Sequence, residues 1–172
     1  IILLGSGAAN ETESVLIPGL QKLGLDPTKI KAVVIAHGHA DHFGGAKYLQ
    51  EKYGAHVYIS SQDWDLMEHP PAAAGGEKKK AAAPVLPNHD MLLTEGQPVV
   101  VGDAKVTPVF IPGHTPGSMA LIFPVKDNGK LHMAAIFGGA VLLVRVMSGT
   151  REQYLNSIEH FRAEAKKAKV DV

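Results

Sequence analysis

The order of patterns along this 172-residue chain predicts an α+β fold whose helices and sheets stack in layers. Three observations predict it. Up to residue 60, short β-branched runs alternate with helix-spaced segments; strand-like runs then follow one another between Gly, Pro and Asn turns; and an amphipathic stretch closes the chain.

Taken in order, Ile1 to Leu4 reads as a strand. Gly5-Ser6-Gly7 reads as a simple turn, because it lacks the Lys of a P-loop and the third Gly of a dinucleotide fingerprint. Val15 to Leu23 has helix-like apolar spacing, with Pro18 in its first turn and Gly24 as its stop, and Asp26-Pro27 opens the next turn. Lys31 to Ala36 is a β-branched run of the kind buried inside a sheet. Gly45 to Tyr53 reads as a helix stopped by Gly54, and His56 to Ser60 as the next strand. Residues 70–87 are rich in Ala, Gly and Pro and are expected to form a surface loop or lid. The run Glu77-Lys78-Lys79-Lys80 within it either meets an anionic substrate or, more commonly for such runs, is a solvated tract. Strands are expected at Asp90 to Leu93, Pro98 to Val101, Lys105 to Phe110, Met119 to Phe123 and His132 to Phe137, with Asp127-Asn128-Gly129 as a hairpin turn. Val141 to Val146 is a further candidate strand. Arg151 to Lys169 is an amphipathic helix on which Tyr154, Ile158, Phe161 and Ala165 recur at helical spacing, and Val170 to Val172 reads as the opening of another strand.

Composition narrows the function classes. With 45% hydrophobic and 20% charged residues, the chain supports one sizeable core, so residues 1–172 are expected to form one domain. Lys+Arg and Asp+Glu balance at 17 each, which provides no global field for nucleic acid, and no apolar run approaches the ~20 residues of a membrane span. The absence of Cys removes disulfides and thiolate zinc ligands, leaving His and carboxylate to hold any metal. Both ends fall inside strand-like patterns, so the expectation is of the central portion of a longer chain. A leader ahead of Ile1 would send it to the periplasm or outside the cell; otherwise it is cytoplasmic. The oligomeric state is left open.

The chemistry is concentrated in His37-Gly38-His39-Ala40-Asp41-His42. Residues two apart on an extended segment face the same way, so His37 and His39 can grip one ion, and neutral imidazole and carboxylate both suit zinc. His42 joins them only if the backbone bends, which implies a strand end leading into a helix start; Gly44 and Gly45 permit a bend or tight packing. Chance produces His-x-His-x-Asp-His in such a composition roughly once in a thousand chains. Further on, Pro112-Gly113-His114-Thr115-Pro116-Gly117-Ser118 presents His114 in a rigid frame of two Pro and two Gly. Alone, that segment is equally well a β-turn.

Together the two segments resemble the metallo-β-lactamase superfamily, whose metal motif is His-x-His-x-Asp-His with a later Gly-His-Thr. The resemblance covers most of the chain and implies a four-layer αββα sandwich. It implies that His37, His39 and His114 hold a first zinc, and that Asp41 and His42 contribute to a second. Pro-Gly-His-Thr-Pro-Gly-Ser, His42 beside Asp41, and no Cys look most like the β-lactamases of class B, subclass 3. The stretch from Phe123 to Lys130, leading to Gly138-Gly139, is similar to that branch too. Three places depart from the family pattern. The third ligand of the second zinc would follow the last helix, beyond Val172, and His160, inside a helix and facing solvent, is no substitute. The early-strand Asp that supports the ligands is replaced by Leu4-Gly5-Ser6, and the bridging Asp by Phe137-Gly138-Gly139-Ala140.

The implied activity is zinc-dependent hydrolysis of a small molecule. Zinc-activated hydroxide would open a cyclic amide such as a β-lactam, with Asp41 as the catalytic residue that orients the water or accepts its proton. The alternatives are another hydrolase of the superfamily, acting on a lactone, thioester or phosphodiester, and a truncated, non-catalytic zinc-binding module. Among these, a nuclease is disfavoured by the zero net charge and the lack of interleaved aromatic and basic residues. His56, His69, His89 and His132 are expected in surface or core roles, and Trp64 in packing, with the site mouth as the alternative.

Overall fold

A computed structural model describes residues 1–70, 84–140 and 151–172. Its layering follows from the alternation of side chains along strands buried on both faces. In β2 (Ala32–Val34), Val33 and the following Ile35 pack with Phe43, Leu49, Trp64 and Met67, while Ala32 and Val34 pack with Val106, Met119 and Leu121. The first group lies against helices and the second against another sheet. The same parity recurs in β7 (Met119–Asp127), where Met119 and Leu121 face the first sheet, while Ala120 and Ile122 pack toward Phe161 of the C-terminal helix. Helix, sheet, sheet and helix thus stack as the αββα sandwich that the resemblance implied.

The first sheet has the order β1 (Ile2–Leu4), β2, β3 (His56–Ile59), β4 (Met91–Leu92), and every pairing is parallel. Its crossovers carry the helices. Between β1 and β2 run α1 (Ala9–Glu11), a π-helical stretch over Thr12–Leu16, and α2 (Ile17–Lys22). Between β2 and β3 lie α3 (Ala40–Phe43) and α4 (Ala46–Tyr53), and α5 (Ser61–Glu68) follows β3. The second sheet is an antiparallel meander of β5 (Val99–Val101), β6 (Ala104–Phe110), β7 and β8 (Lys130–Ile136), faced by α6 (Arg151–Lys167). Asn128 and Gly129, at φ 47° and 81°, make the two-residue turn between β7 and β8 that the Asp127-Asn128-Gly129 sequence predicts.

Several boundaries differ from expectation. The first helical segment begins at Ala9, six residues before Val15, because Thr12 is fully buried and its hydroxyl donates to the Ser6 carbonyl at 2.7 Å. Strand β4 keeps only two residues; the Asp90 carboxylate instead accepts from the Val57 N–H at 2.9 Å. Strand β7 runs on to Asp127 because β8 pairs with it down to Lys130. Helix α5 is absent from the sequence expectation. Its start is nevertheless written locally, since the Ser60 hydroxyl accepts from the Asp63 N–H at 3.3 Å as an N-cap. Val170 to Val172 form no strand: the Val170 N–H donates to the Ala165 carbonyl at the helix end, while the Asp171 N–H donates to the Met133 carbonyl and the Ala135 N–H to that of Val172. The candidate strand Val141 to Val146 and most of the expected loop at 70–87, its Lys run included, lie outside the described residues. Among the described residues no helix is long and apolar enough to cross a membrane.

Gly44 and Gly45 serve close packing rather than a bend, since their φ values of −55° and −93° are open to any residue. A Cβ on Gly45 would stand 1.7 Å from the Thr12 hydroxyl and 2.9 Å from the Ser6 carbonyl. Gly45→Ala is therefore expected to destabilise the fold by about 1–3 kcal/mol through overpacking. A urea midpoint equal to that of the wild type would contradict this.

Candidate metal centre

The site forms where the first sheet meets the second. The Ala36 carbonyl accepts from the Met119 N–H at 2.8 Å, joining the sheets immediately before His37. His39 is the N-cap of α3, with extended φ −93° and ψ 145°, and its carbonyl accepts from the N–H groups of His42 and Phe43. The expected passage from strand end to helix start is thus what the backbone does. His114 enters from the loop between β6 and β7, where Gly113 holds φ at 144°, a backbone region that side chains with a Cβ rarely adopt.

His37, His39 and His114 converge. One ring nitrogen of each lies within 4.8 Å of the others, and the ring centroids are 4.6–4.9 Å apart with near-perpendicular planes. His39 Nδ1 and His114 Nε2 approach to 3.0 Å, close to the ~3.3 Å that separates two nitrogens of a tetrahedral zinc at ~2.0–2.1 Å. His37 is buried, and its Nδ1 has no hydrogen-bond partner among the described residues. Burial, followed by repulsion from His42, His114 and His39, lowers the His37 pKa to about 3, with the Gly138 backbone pulling the other way. His39 is lowered too, first by burial and then by His114, against the opposing charge of Asp41. Neutral imidazole is the form a metal requires, so the donor set fits a zinc ion.

Asp41 and His42 line the same cleft but stand outside the three-His group. Their side chains are 74% and 44% exposed and lie 3.7 Å apart, and the His42 ring sits 4.0 Å from that of His37. Among the described residues no third ligand gathers with them. Glycines fill the place of a bridging carboxylate, and a Cβ on Gly139 would stand 2.5 Å from that of His114. The cleft, of about 720 Å³, is walled on its apolar side by Leu121, Ile136 and Phe137.

Two supporting residues escaped the sequence reading. Ser6, expected only in a turn, is buried; its N–H and hydroxyl both donate to the His42 carbonyl, at 2.9 and 3.0 Å, while its oxygen accepts from the Gly45 N–H. It braces the backbone where the family pattern has an Asp. Asp63, at the start of α5, is fully buried and accepts from the Gly38 N–H, the Thr115 hydroxyl and the Gly117 N–H. Burial raises its pKa, and those three donors oppose the rise. The only local signal for it was the spacing Ser60-x-x-Asp63, which marks a helix start and says nothing about the site.

The remaining histidines lie apart. His56, His69, His89, His132 and His160 each meet a carboxylate, respectively Asp90, Asp65, Glu68, Asp171 and Glu95. Trp64 is buried, stacks on His89 and packs in the helix-side core, away from the cleft.

Residues 1–127 match the Metallo-beta-lactamase superfamily. The chain belongs to that superfamily. A sequence described as "Probable metallo-hydrolase YflN" from Bacillus subtilis is 26% identical over 83% of this chain and 56% of its own length. A hydroxyacylglutathione hydrolase of Crocosphaera subtropica is 29% identical over 94% of the chain and 58% of its own length. Among solved structures, a subclass B3 metallo-beta-lactamase of Bradyrhizobium japonicum superposes with a TM-score of 0.71 at 26% identity, over 99% of this chain and 65% of that one. This metallo-beta-lactamase-fold chain thus spans between half and two thirds of the length of such relatives.

Proposed function

We propose that this chain carries the zinc-holding part of a metal-dependent hydrolase, with His37, His39 and His114 as ligands of one ion. The observation that carries the reading is the convergence of three imidazoles, two of them with lowered pKa, at the edge of one cleft. His37, His39 and His114 would hold the ion, which when bound would supply an acidified water at neutral pH and polarise a carbonyl. Asp41, at the exposed mouth, would orient that water or accept its proton. His42, beside Asp41, would contribute with it to a second ion. Leu121, Ile136 and Phe137 hold the body of the substrate and keep bulk water from one side of the reacting bond.

A cyclic amide of the β-lactam type is the first substrate class, supported by the likeness to the subclass B3 enzyme. A thioester is the second, supported by the hydroxyacylglutathione hydrolase of Crocosphaera subtropica. The test uses the full-length protein loaded with zinc, a chromogenic cephalosporin, and a thioester whose released thiol is titrated. Chelator-sensitive opening of the cephalosporin is the expected result. Thiol release alone would move the assignment to the thioester. One tightly held zinc with neither reaction would replace the enzyme with a non-catalytic zinc module.

A further inference from the structure

We propose that Asp63 is a positioning residue for the metal centre, clamping the segment that carries His37 and His39 to the loop that carries His114. The proposal rests on reading those histidines as zinc ligands. Two of the three donors that Asp63 receives sit next to one of them, and the third comes from the same loop as His114. Its Oδ2 accepts from the N–H of Gly38, the residue between His37 and His39, at 2.7 Å, and from the hydroxyl of Thr115, adjacent to His114, at 2.7 Å. Its Oδ1 accepts from the Gly117 N–H at 2.8 Å. Segments 25 and 52 residues away in sequence therefore meet on one carboxylate.

The surroundings are built for that clamp. The Ser60 cap on the Asp63 N–H fixes the residue at the start of α5. Ser118 fixes the Thr115 hydroxyl: its own hydroxyl lies 2.6 Å from Thr115 Oγ1 and accepts from the Thr115 N–H at 3.0 Å, so the Thr115 proton is directed at Asp63. The approach is close on both sides, and at Gly117 it leaves no room for a side chain. A Cβ on Gly117 would stand 2.0 Å from the Ser60 hydroxyl, and one on Gly38 would stand 3.1 Å from the Asp63 carbonyl. Asp63 is 0% exposed, so water cannot take its place as acceptor. An amide at this position would offer one acceptor oxygen and turn its NH2 toward groups that also donate. The two ligand-bearing segments would then lose their common anchor, and the ligands their relative placement.

The test takes Asp63→Asn and, as a milder change that keeps side-chain shape, Thr115→Val in the full-length protein. Zinc affinity is measured by competition with a chromophoric chelator, the ligand field by the absorption of the cobalt(II) form, and melting temperature with and without saturating zinc. Asp63→Asn should weaken zinc binding by about 10–100-fold, change the cobalt spectrum, and narrow the gap between zinc-free and zinc-loaded melting temperatures. Thr115→Val should do the same to a smaller degree, and it decides alone if Asp63→Asn does not fold. A folded variant that binds zinc as tightly as the wild type, with both melting temperatures lowered together, overturns the proposal and leaves Asp63 a part of the fold only. A wild type that takes up no zinc defeats the metal reading first, and this proposal with it.

Discussion

His114→Ala is expected to abolish hydrolysis and weaken zinc binding by more than about 100-fold, beyond the 10–100-fold cost of losing a mere supporting group. The reason is geometric. His114 comes from a different sheet than His37 and His39, its Nε2 stands 3.0 Å from His39 Nδ1, and among the described residues no fourth side chain belongs to the group. The fold should survive, because the donors that hold this loop on Asp63 are the Gly117 backbone and the Thr115 hydroxyl, which the change leaves intact. His160→Ala serves as the control. That residue lies on α6 in an exposed pair with Glu95, worth at most about 1 kcal/mol, and its loss should leave zinc binding and turnover unchanged. Turnover that persists in His114→Ala would remove the three-His site from the mechanism.

The zinc-free protein should lose stability as the pH falls below about 6.5. In the fold the His37 imidazole gains its proton only near pH 3, whereas in the unfolded chain it does so near 6.5. Between those values the unfolded state binds a proton that the folded state refuses, so stability rises with pH across that window and is fully present above it. The full difference from His37 amounts to about 5 kcal/mol at most. His39, also lowered, acts in the same direction. Asp63 acts in the opposite one, since its raised pKa makes the fold bind a proton more readily than the unfolded chain does in the acid range. Because the histidine contribution begins near neutrality, the urea midpoint should already fall between pH 7 and pH 5, and His37→Gln should flatten that fall. A midpoint constant from pH 7 to pH 4 in the zinc-free wild type would contradict a lowered His37 pKa.

What was legible in sequence was the chemistry that local patterns carry. The β-branched run before His37 marks a buried strand because the residues needed for it are contiguous, and His37 and His39 follow the C-terminal end of that strand. The β7–β8 hairpin is equally local, since Asn128 and Gly129 accept positive φ at little cost. Ser6 and Asp63 were not legible, because their meaning lies in partners 25 or more residues away: the His42 carbonyl for one, Gly38 and the His114 loop for the other. Helix α5 was hidden for a related reason. Between Ser61 and Glu68 only Trp64 and Met67 face the core, so the apolar period is too sparse to announce a helix. Gly45 could be read as a bend or as a tight contact, and Thr12, which decides between them, arrives from another element.

These three histidines are proposed to hold the metal on which hydrolysis depends, and that role is open to direct test. It is tested most directly by stripping the full-length protein of metal and following hydrolysis of its best substrate as zinc is returned. No turnover is expected without metal, followed by a rise that saturates at one or two zinc ions per chain. Turnover in the stripped protein equal to that of the loaded one would contradict that role.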